Sequence, residues 1–410
     1  MIIRAFLALV IFSCALPAFA AQYYVAPQAS AEGDGSSARP FDSVKSAIQS
    51  GVLAGGDRLI LAPGSYDAIT LLSDFYFSPP VVIGPARAHT AHTPQIFVRQ
   101  GDGLTFYGIN VWPEKANLAP DNLLETFSGA TNIRFENIEV RGKPNANESY
   151  FSWSAEDWVS RWRHNGALLR GAKNSIVNSR FAGVAFGITI EGPDGLVTGN
   201  TITGFSGDGM RTLGDNGFFE NNQIENCFKV DGNHDDGIQS WARHEGADGR
   251  KVVRGVKIVR NRIYEWRGPE PHPLRCSLQG IGLFDGIFNN FLIKDNLVAV
   301  THYHGISLYG GDSSQIVGNT VVNLRGEQAD RPWIKIDSKK TGPGNRNNLV
   351  IGNVAPKYEG IPTASRLNLL LQQPWREFVA PLMQDFRVRA DSRLHQMKNY
   401  RPNAWVNSNQ

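Results

Sequence analysis

The chain of 410 residues carries 41 basic and 38 acidic side chains, which gives a formal net charge of +3. Charges this nearly balanced give no case for binding nucleic acid or an anionic membrane surface. Beyond the N terminus, no apolar run in the sequence is long enough to span a membrane. We therefore expect a protein without nucleic-acid or membrane partners, and we expect it to be a monomer.

Residues 1–20 have the features of a cleavable signal peptide. Arg4 precedes an apolar run from Ala5 to Leu16, and Ala18-Phe19-Ala20 provides a small-x-small cleavage site. The run is too short to cross a membrane. This segment predicts that the protein is secreted or periplasmic, and it leaves open which of the two applies.

Two cysteines remain after the signal peptide is removed, Cys227 and Cys276. In an oxidising compartment they could form a disulfide bond, but two buried free thiols are equally consistent with the sequence. Neither cysteine belongs to a metal-binding pattern, so we expect no metal site built from cysteine.

Residues 21–66 are predicted to form an N-terminal cap and the first strand. Tyr23 to Ala26 has the pattern of a strand, and a short amphipathic helix is expected from Phe41 to Leu53, with Val44, Ala47 and Ile48 at helical spacing. This arrangement resembles the N-terminal capping module of secreted parallel β-helix proteins of the pectin-lyase-like superfamily. Such a helix covers the open end of the core, which every solenoid must hide.

The middle of the chain repeats one pattern, a polar residue followed by Gly and an aliphatic residue. The first three copies stand roughly 21 to 22 residues apart, a period typical of solenoids. Asparagine suits the bends between short strands, because it tolerates the left-handed backbone region and can bond to the Asn of the next coil. A second pattern places an asparagine between aliphatic residues, around Asn200, Asn222, Asn261, Asn296, Asn319 and Asn353.

These repeats predict an all-β fold, a parallel β-helix over residues 67–360 with about seven coils in good register. The resemblance to the pectin-lyase-like superfamily implies that the helix is right-handed. From Leu367 the period is lost, and residues 361–410 are predicted to form a C-terminal cap, with a partner-binding tail as the alternative. Leu367 to Leu371 and Trp375 to Leu382 have a helical pattern, and Asp385 to Val388 has the pattern of a final strand.

The strands of the solenoid should place three columns of side chains on its outer surface, because alternate residues of a strand face opposite ways. The first column consists of Asn165, Phe186, Asp208, Asp236, Gln279, His304 and Pro332. The second consists of Thr189, Arg211, Gln239, Gly282, Ser307 and Lys335. The third consists of Glu191, Leu213, Trp241, Phe284, Tyr309 and Asp337.

The acids in these columns are the strongest candidates for catalysis. Asp208 and Asp236 lie on consecutive coils, so their carboxylates should be within roughly 5 to 7 Å of each other, and Asp235 adjoins them. Repulsion among three carboxylates should raise the pKa of at least one. Glycoside hydrolysis requires one protonated acid and one ionised carboxylate. Asp before Gly is also good turn chemistry, but a column of acids near His304 favours a catalytic role.

Four short motifs resemble those of polygalacturonase-like glycoside hydrolases, in the same order. They are Ser206-Gly207-Asp208-Gly209, Asp235-Asp236-Gly237-Ile238, Tyr303-His304-Gly305-Ile306-Ser307-Leu308-Tyr309 and Trp333-Ile334-Lys335. The resemblance implies that Asp235 is the general acid and that Asp208 and Asp236 activate the water of an inverting reaction. It also implies that His304 supports the acid and that Lys335 binds the sugar or its carboxylate. The chain departs from the family pattern at three places, namely Gly207, Trp333 and the additional coil of Gln279.

Other side chains on the same face are expected to bind the substrate. Trp241, Phe284 and Tyr309 form an aromatic column that would suit sugar rings if it is exposed, although flanking insertions could bury it. Arg211 and Lys335 could recognise an anionic sugar or pair with the acids. The same groove is expected to contain His234, Gln239 and Gln279.

The leading hypothesis is a glycoside hydrolase that acts on a polysaccharide, including one that contains uronic acids, and needs no cofactor. The second is a polysaccharide lyase, in which the three aspartates would hold Ca²⁺ against the substrate and Arg211 or Lys335 would remove a proton. A uronate epimerase would use the same proton abstraction. The non-enzymatic alternative is a glycan-binding or adhesion β-helix, which would need the aromatic column but not the clustered acids.

Overall fold

The computed structural model describes residues 20–117, 121–243, 245, 249, 251–324, 331–338, 345–361 and 367–406. Apart from Ala20, the predicted signal peptide lies outside the described residues. Within them the chain forms a solenoid of parallel strands, so the predicted parallel β-helix is confirmed. No helix in this part of the chain is both long and apolar enough to cross a membrane.

Successive strands of the chain belong in turn to three faces of the solenoid. The first face contains Ile69–Leu71, Asn165–Leu169, Ile188–Ile190, Met210–Thr212, Asp236–Ser240, Gln279–Leu283, His304–Tyr309, Trp333–Asp337 and Lys357–Glu359. The second contains Gln22–Val25, Arg58–Leu61, Tyr76–Pro85, Ser175–Val177, Leu196–Thr198, Phe218–Glu220, Lys257–Val259, Leu292–Lys294, Gln315–Val317 and Leu349–Ile351. Ile96–Tyr107 and Asn122–Glu136 continue from the first face into the second.

The third face is a separate sheet of parallel strands that closes each coil. Its strands are Gly64–Ser65, Ala91–Thr93, Asn110–Val111, Glu139–Arg141, Arg180–Val184, Thr201–Phe205, Gln223–Cys227, Arg262–Tyr264, Leu297–Val300, Thr320–Asn323, Val354–Ala355 and Leu369–Leu370. Two smaller sheets lie outside the faces, formed by Val252–Arg254, Ile287–Asn289 and Gly311–Asp312, and by Phe378–Ala380 and Asp385–Val388. The short helical segments are Val44–Gln49, Ala146–Ser149, Tyr150–Ser152, Asp157–Arg161, Pro374–Glu377, Pro381–Met383 and Arg393–Gln396.

The predicted N-terminal helix is present but shorter than expected, and it covers Val44–Gln49. It begins there because Ser43 caps it, accepting a hydrogen bond from the backbone N–H of Ser46 at 3.1 Å. It ends before Gly51, which adopts a left-handed conformation with a φ of 74°. Val44 and Ala47 are buried against the end of the solenoid core, as a capping helix requires.

The solenoid interior is filled by the aliphatic residue that follows each repeated Gly. Ile238, Ile281 and Ile306 are fully buried. The Gly is needed because a Cβ on Gly280 would lie 2.2 Å from the carbonyl oxygen of Gly305 on the neighbouring strand and 2.4 Å from Val298 on the third face. The repeated Gly therefore marks positions where the first and third faces of the solenoid approach each other closely.

The repeated asparagines form a buried ladder between the second and third faces. Each Asn side chain accepts from the backbone and side-chain amides of the Asn one coil earlier, along Asn200, Asn222, Asn261, Asn296, Asn319, Asn353 and Asn368. The predicted bonding between coils is therefore confirmed. The left-handed conformation was assigned to the wrong residue, because the residue before the ladder Asn adopts it, as in Asn221, Arg260 and Asp295. That arrangement frees the ladder Asn to point inward.

The C-terminal segment differs from its predicted helices. Leu369–Leu370 is a strand that pairs with Val354–Ala355, so it extends the third face instead of forming a helix. The next helix covers only Pro374–Glu377, because the chain then forms the strand Phe378–Ala380. The predicted strand Asp385–Val388 is confirmed, and it pairs with Phe378–Ala380 in an antiparallel hairpin.

Candidate functional site

A cleft of about 700 Å³ lies on the first face of the solenoid. Three adjacent strands form its floor, because Gln239 pairs with Gly282 and Gly282 pairs with Ser307. The cleft is lined by His234, Gln239, Ser240, Trp241, Gln279, Phe284, Asp285, His302, Tyr303, His304 and Tyr309. The structure thus brings together most of the side chains that the sequence predicts for substrate binding.

The predicted register of the three columns is confirmed except at its last coil. Arg211, Gln239, Gly282, Ser307 and Lys335 pair in order across neighbouring strands. In the first column, however, His304 pairs with Trp333, and the predicted Pro332 is wrong by one residue. A register shift causes the difference, because the chain advances by two residues from His304 to Ile306 but by only one from Trp333 to Ile334 on the partner strand.

The three aspartates meet as predicted, but they do not face the cleft openly. Asp208, Asp235 and Asp236 have relative exposures of only 1%, 4% and 0%. The backbone N–H of Asp236 donates to Asp208 Oδ1 at 3.0 Å. Side chains outside the strand pattern cover the acids, since Lys229 Nζ lies 3.3 Å from Asp235 Oδ2 and Asn233 donates to Asp235 Oδ1 at 3.2 Å. The acids are therefore covered and do not belong to the cleft lining.

Burial and partners give the three carboxyl groups different proton affinities. Burial raises the pKa of Asp235 to about 6, although Lys229 opposes this. Burial and the neighbouring Asp208 and Asp235 raise the pKa of Asp236 well above its usual range. Burial also raises the pKa of Asp208, but Arg211 opposes it through an ion pair with an Nε to Oδ2 distance of 2.6 Å. Arg211 therefore favours the charged form of Asp208, whereas burial and the two neighbouring acids favour the protonated form of Asp236.

The hydrogen-bond partners of Asp236 agree with a protonated side chain. Its Oδ2 accepts from Gln239 Nε2 at 3.1 Å, whereas its Oδ1 is buried and has no hydrogen-bond partner among the described residues. Gln279, at the paired position of the next strand, has a buried Oε1 that also lacks a partner there. A proton on Asp236 would turn its unpartnered Oδ1 from an acceptor into a donor. Gly282 leaves room for this carboxyl group, since a Cβ there would lie 2.4 Å from Asp236 Oδ1.

His304 lies in the cleft and is uncharged at neutral pH. Burial lowers the pKa of His304 to about 4, and the nearby His302 and Lys335 act in the same direction. Its Nδ1 is 2.7 Å from Ser307 Oγ, which also accepts a hydrogen bond from Trp333 Nε1 at 3.0 Å. The ring is therefore fixed within the cleft as a neutral imidazole.

The two cations that were predicted to bind a sugar carboxylate are already paired with acids. Arg211 pairs with Asp208 and lies over the ring of Phe186, 3.5 Å from its centroid. Lys335 Nζ is 3.1 Å from Asp337 Oδ2 and 3.3 Å from Glu359 Oε2. These cations were predicted either to recognise an anionic sugar or to pair with acids, and the structure shows the pairing with acids.

The aromatic column is neither fully exposed nor fully buried. Trp241, Phe284 and Tyr309 are each partly exposed and line the cleft, with 5.4 Å between the ring centroids of Phe284 and Tyr309. Residues 143–163, an insertion between strands that carries Trp153 and Trp158, contribute no side chain to the cleft lining, and both tryptophans pack in a separate buried cluster.

Cys227 and Cys276 form a disulfide bond beside Asp235. Their sulfur atoms and a carboxylate oxygen of Asp235 lie within 4.8 Å of one another. Because the sulfurs are bonded to each other, they offer no thiolate to a metal. The aspartates do not fit a Ca²⁺ site either, because Arg211 pairs with Asp208 and Lys229 pairs with Asp235.

Sequence reasoning missed Lys229, Asn233 and Asp285. Lys229 and Asn233 lie in a turn outside the repeat, so strand alternation gave no sign of them. Their position two to six residues before Asp235 was the available signal, since a loop that leads into a strand often covers its first residues. Ser307 was placed in the correct column, but no role was assigned to it.

Comparisons with known proteins agree with the fold. The family described as "Right handed beta helix region" matches residues 158–321. No curated protein matches the chain. Among solved structures, the chain is similar to a rhamnogalacturonan lyase, with a TM-score of 0.50 and 14% identity over 81% of this chain and 87% of the other.

Two further solved structures are similar at a lower level. One is a pectate lyase, with a TM-score of 0.43 and 15% identity over 91% of this chain and 90% of the other. The other is a GH136 lacto-N-biosidase from Eubacterium ramulus, with a TM-score of 0.45 and 11% identity over 83% of this chain and 67% of the other. The family match and the arrangement of the strands show that this chain has a right-handed parallel β-helix fold.

Proposed function

We propose that the protein is an exported enzyme that cleaves a polysaccharide by hydrolysing a glycosidic bond. The observation that carries this proposal is the cluster of Asp208, Asp235 and Asp236 beside an aromatic-lined cleft. Its carboxyl groups differ in proton affinity, as acid–base hydrolysis of a glycoside requires. Export is proposed from the signal-peptide features of residues 1–20.

In this proposal Asp235 is the general acid, because a pKa of about 6 leaves part of the enzyme protonated near neutral pH. Asp208, whose charged form Arg211 favours, accepts the proton of the attacking water, and Asp236, whose protonated form is favoured, positions that water as a hydrogen-bond donor. The side chain of Lys229, which is 44% exposed, covers Asp235, so a substrate reaches Asp235 where it displaces that side chain.

The cleft is suited to sugar rings. It is of the size of a small-molecule site, and Trp241, Phe284 and Tyr309 offer ring faces beside the polar side chains of Gln239 and Gln279. Solved structures of this fold include enzymes named for pectate and rhamnogalacturonan cleavage, which supports a polysaccharide substrate.

The charges around the cleft favour neutral sugars over uronic acids. Arg211 and Lys335 are paired, and Asp285 is the charged side chain among the residues that line the cleft. A sugar carboxylate would have to break one of these ion pairs or approach Asp285.

A polysaccharide lyase is the second candidate, favoured by a different group of residues. This group consists of the imidazole of His304, the phenol of Tyr309 and the amine of Lys335. Lys335 Nζ lies 5.4 Å from the ring centroid of Tyr309, which also contacts the ring of His304. Such groups can remove an α-proton without a metal. In that case the aspartates would only shape the site.

The products of the reaction distinguish the two candidates. The purified protein is incubated with neutral and acidic polysaccharides, with and without EDTA, and reducing ends are followed together with the ultraviolet absorbance of an unsaturated sugar. We expect new reducing ends without absorbance, and no effect of EDTA. Absorbance that rises in step with cleavage would establish the lyase and reject the roles given to the aspartates.

An Asp235→Asn variant tests the general acid. We expect its kcat to fall by about 10²-fold or more while binding of the polysaccharide persists. Asp295→Asn is a matched control, because Asp295 is also a buried acid with a raised pKa but lies outside the cleft. Full activity in Asp235→Asn would reject hydrolysis by this cluster. A wild-type protein that binds the polysaccharide but does not cleave it would favour a glycan-binding role.

A further inference from the structure

His304 and Trp333 meet at a single hydroxyl group, the side chain of Ser307. Ser307 is fully buried. Its Oγ has two hydrogen-bond partners in the structure, Nδ1 of His304 at 2.7 Å and Nε1 of Trp333 at 3.0 Å. The arrangement follows from the register, since Trp333 pairs with His304 on the neighbouring strand.

The direction of each hydrogen bond follows from the number of hydrogens available. The indole N–H of Trp333 can only donate, so Ser307 Oγ accepts it. The hydroxyl hydrogen of Ser307 then needs an acceptor, and a buried side chain cannot find one in solvent. The remaining partner is Nδ1 of His304, which must therefore accept.

A neutral imidazole that accepts at Nδ1 carries its hydrogen at Nε2. The opposite tautomer would donate from Nδ1 and leave the buried hydroxyl hydrogen of Ser307 without an acceptor, an arrangement that folded proteins rarely contain. A protonated ring would have the same fault, because both of its nitrogens donate. The lowered pKa of His304 agrees with this argument.

We propose that Ser307, oriented by Trp333, is a positioning residue that holds His304 as the Nε2–H tautomer, so that His304 meets the substrate as a hydrogen-bond donor. That the substrate is a sugar rests on the function proposed above, whereas the tautomer does not. The acceptor on the substrate is a hydroxyl or the glycosidic oxygen. His304 cannot remove a proton through Nε2 in this state, so the proposal also separates its role from that of a lyase base.

The tautomer can be read directly in the unliganded protein by two-bond ¹H–¹⁵N correlation spectra of ¹⁵N-histidine-labelled samples. His304→Gln identifies the resonances of His304 among those of the nine histidines. We expect Nδ1 to resonate as an unprotonated nitrogen and Nε2 as a protonated one from pH 5 to pH 8, a range that lies above the pKa of about 4. A protonated Nδ1, or a ring that titrates near the ordinary histidine pKa, would overturn the proposal.

Variants of Ser307 test whether it causes this state. Ser307→Ala should give a mixture of tautomers and lower kcat by about 10-fold or more, and Ser307→Thr, which keeps the hydroxyl group, should restore both. Ser314→Ala removes another buried serine, one that donates to the carbonyl of Phe288 at 2.8 Å, and should leave the His304 spectrum unchanged. A Ser307→Ala spectrum identical to that of the wild type would reject the role of Ser307.

The spectra and the activity assay can fail independently. The expected tautomer in a protein that cleaves no polysaccharide would reject the proposed function and leave the role of Ser307 intact. The opposite tautomer in an active hydrolase would reject this inference alone. If Ser307→Ala does not fold, the wild-type spectrum still decides the tautomer.

Discussion

Asp208, Asp235 and Asp236 bring three carboxyl groups together where water is excluded. Ionising a buried carboxyl group costs free energy unless a cation compensates, and here Arg211 and Lys229 compensate for only two of them. The raised pKa values of Asp235 and Asp236 express the remaining cost. A cluster that opposes folding when ionised is expected at a functional site, where the same proton affinities serve the reaction.

The free-energy cost of ionising the buried Asp235 predicts how the stability of the protein depends on pH. In the unfolded chain the carboxyl pKa is near 3.8, whereas the folded value is about 6, so the folded state binds the proton more tightly. The resulting stabilisation is complete below pH 3.8 and is lost as the pH rises through 6. The variant Asp235→Asn cannot ionise at this position. We expect its free energy of unfolding to exceed that of the wild type by about 3 kcal/mol at pH 8 and to be nearly the same at pH 4.

Denaturant unfolding at the two pH values measures this difference. Asp312→Asn is the control with the opposite sign, because a hydrogen bond from Arg346 lowers the pKa of Asp312. That variant should be less stable than the wild type at both pH values, because the stabilisation from a lowered carboxyl pKa is present above pH 3.8. An equal loss in Asp235→Asn at both pH values would show that the carboxyl group is not held in a costly state.

At the scale of the structural element, the asparagine ladder and the disulfide bond fix the coils that carry the site. The ladder satisfies buried backbone groups at every turn between the second and third faces. The disulfide bond ties the end of Gln223–Cys227 to the segment that leads into Gln279–Leu283. Both elements therefore hold the two coils between which Asp235 lies.

Asn261 is the ladder position best placed for a test. Its side chain accepts from the backbone N–H of Asn222 at 3.0 Å and donates to the carbonyl of Phe219 at 2.9 Å. Asn261→Ala would leave these buried groups unpaired, and we expect it to lower the free energy of unfolding by about 3 kcal/mol or more. Gln315→Ala, at an exposed strand position, should change it by less than about 0.5 kcal/mol. Similar losses in the two variants, measured by denaturant unfolding, would contradict a structural role for the ladder.

Removing the disulfide bond should affect both stability and the site. The bond closes a loop with a sequence separation of 49, for which the loss of chain entropy corresponds to about 4 kcal/mol. We expect the double variant Cys227→Ser, Cys276→Ser to melt at a lower temperature than the wild type. Dithiothreitol should lower the melting temperature of the wild type but not of the variant. Titration of two free thiols in the unreduced wild type would show that the bond does not form.

At the scale of the whole molecule, the C-terminal segment lies alongside the solenoid. Phe378, Phe386 and Leu394 pack against Leu297 and Val322, which belong to successive coils of the third face. A single segment thus braces several coils that otherwise contact only their neighbours. Its outer surface is strongly apolar at Leu382 and Met383, which are exposed.

This bracing predicts a large difference between two substitutions in the segment. Phe386 is buried in the cluster, so Phe386→Ala should lower the free energy of unfolding by about 3 to 5 kcal/mol. Leu382→Ala, at a side chain that is 93% exposed, should have almost no effect. Thermal and denaturant unfolding measure both variants. A small effect of Phe386→Ala would mean that the solenoid is stable without this segment.

The sequence by itself determined the coil register. Strand alternation and the repeated Gly fix which residues stack, so Arg211, Gln239, Gly282, Ser307 and Lys335 could be placed in one column. It also determined that the aspartates would meet and that a pKa among them would rise. These features are local to the repeat, and a repeat places equivalent residues side by side.

Only the tertiary structure decided what covers the column. Lys229 and Asn233 reach Asp235 from a turn outside the repeat, and the register shift at His304 moves Trp333 onto Ser307. Strand period gives the side of the sheet that a residue faces, but exposure, ion pairing and the tautomer of His304 depend on loops and irregularities that have no period. The register was therefore readable from the residues, while the protonation of the site had to come from the packing around it.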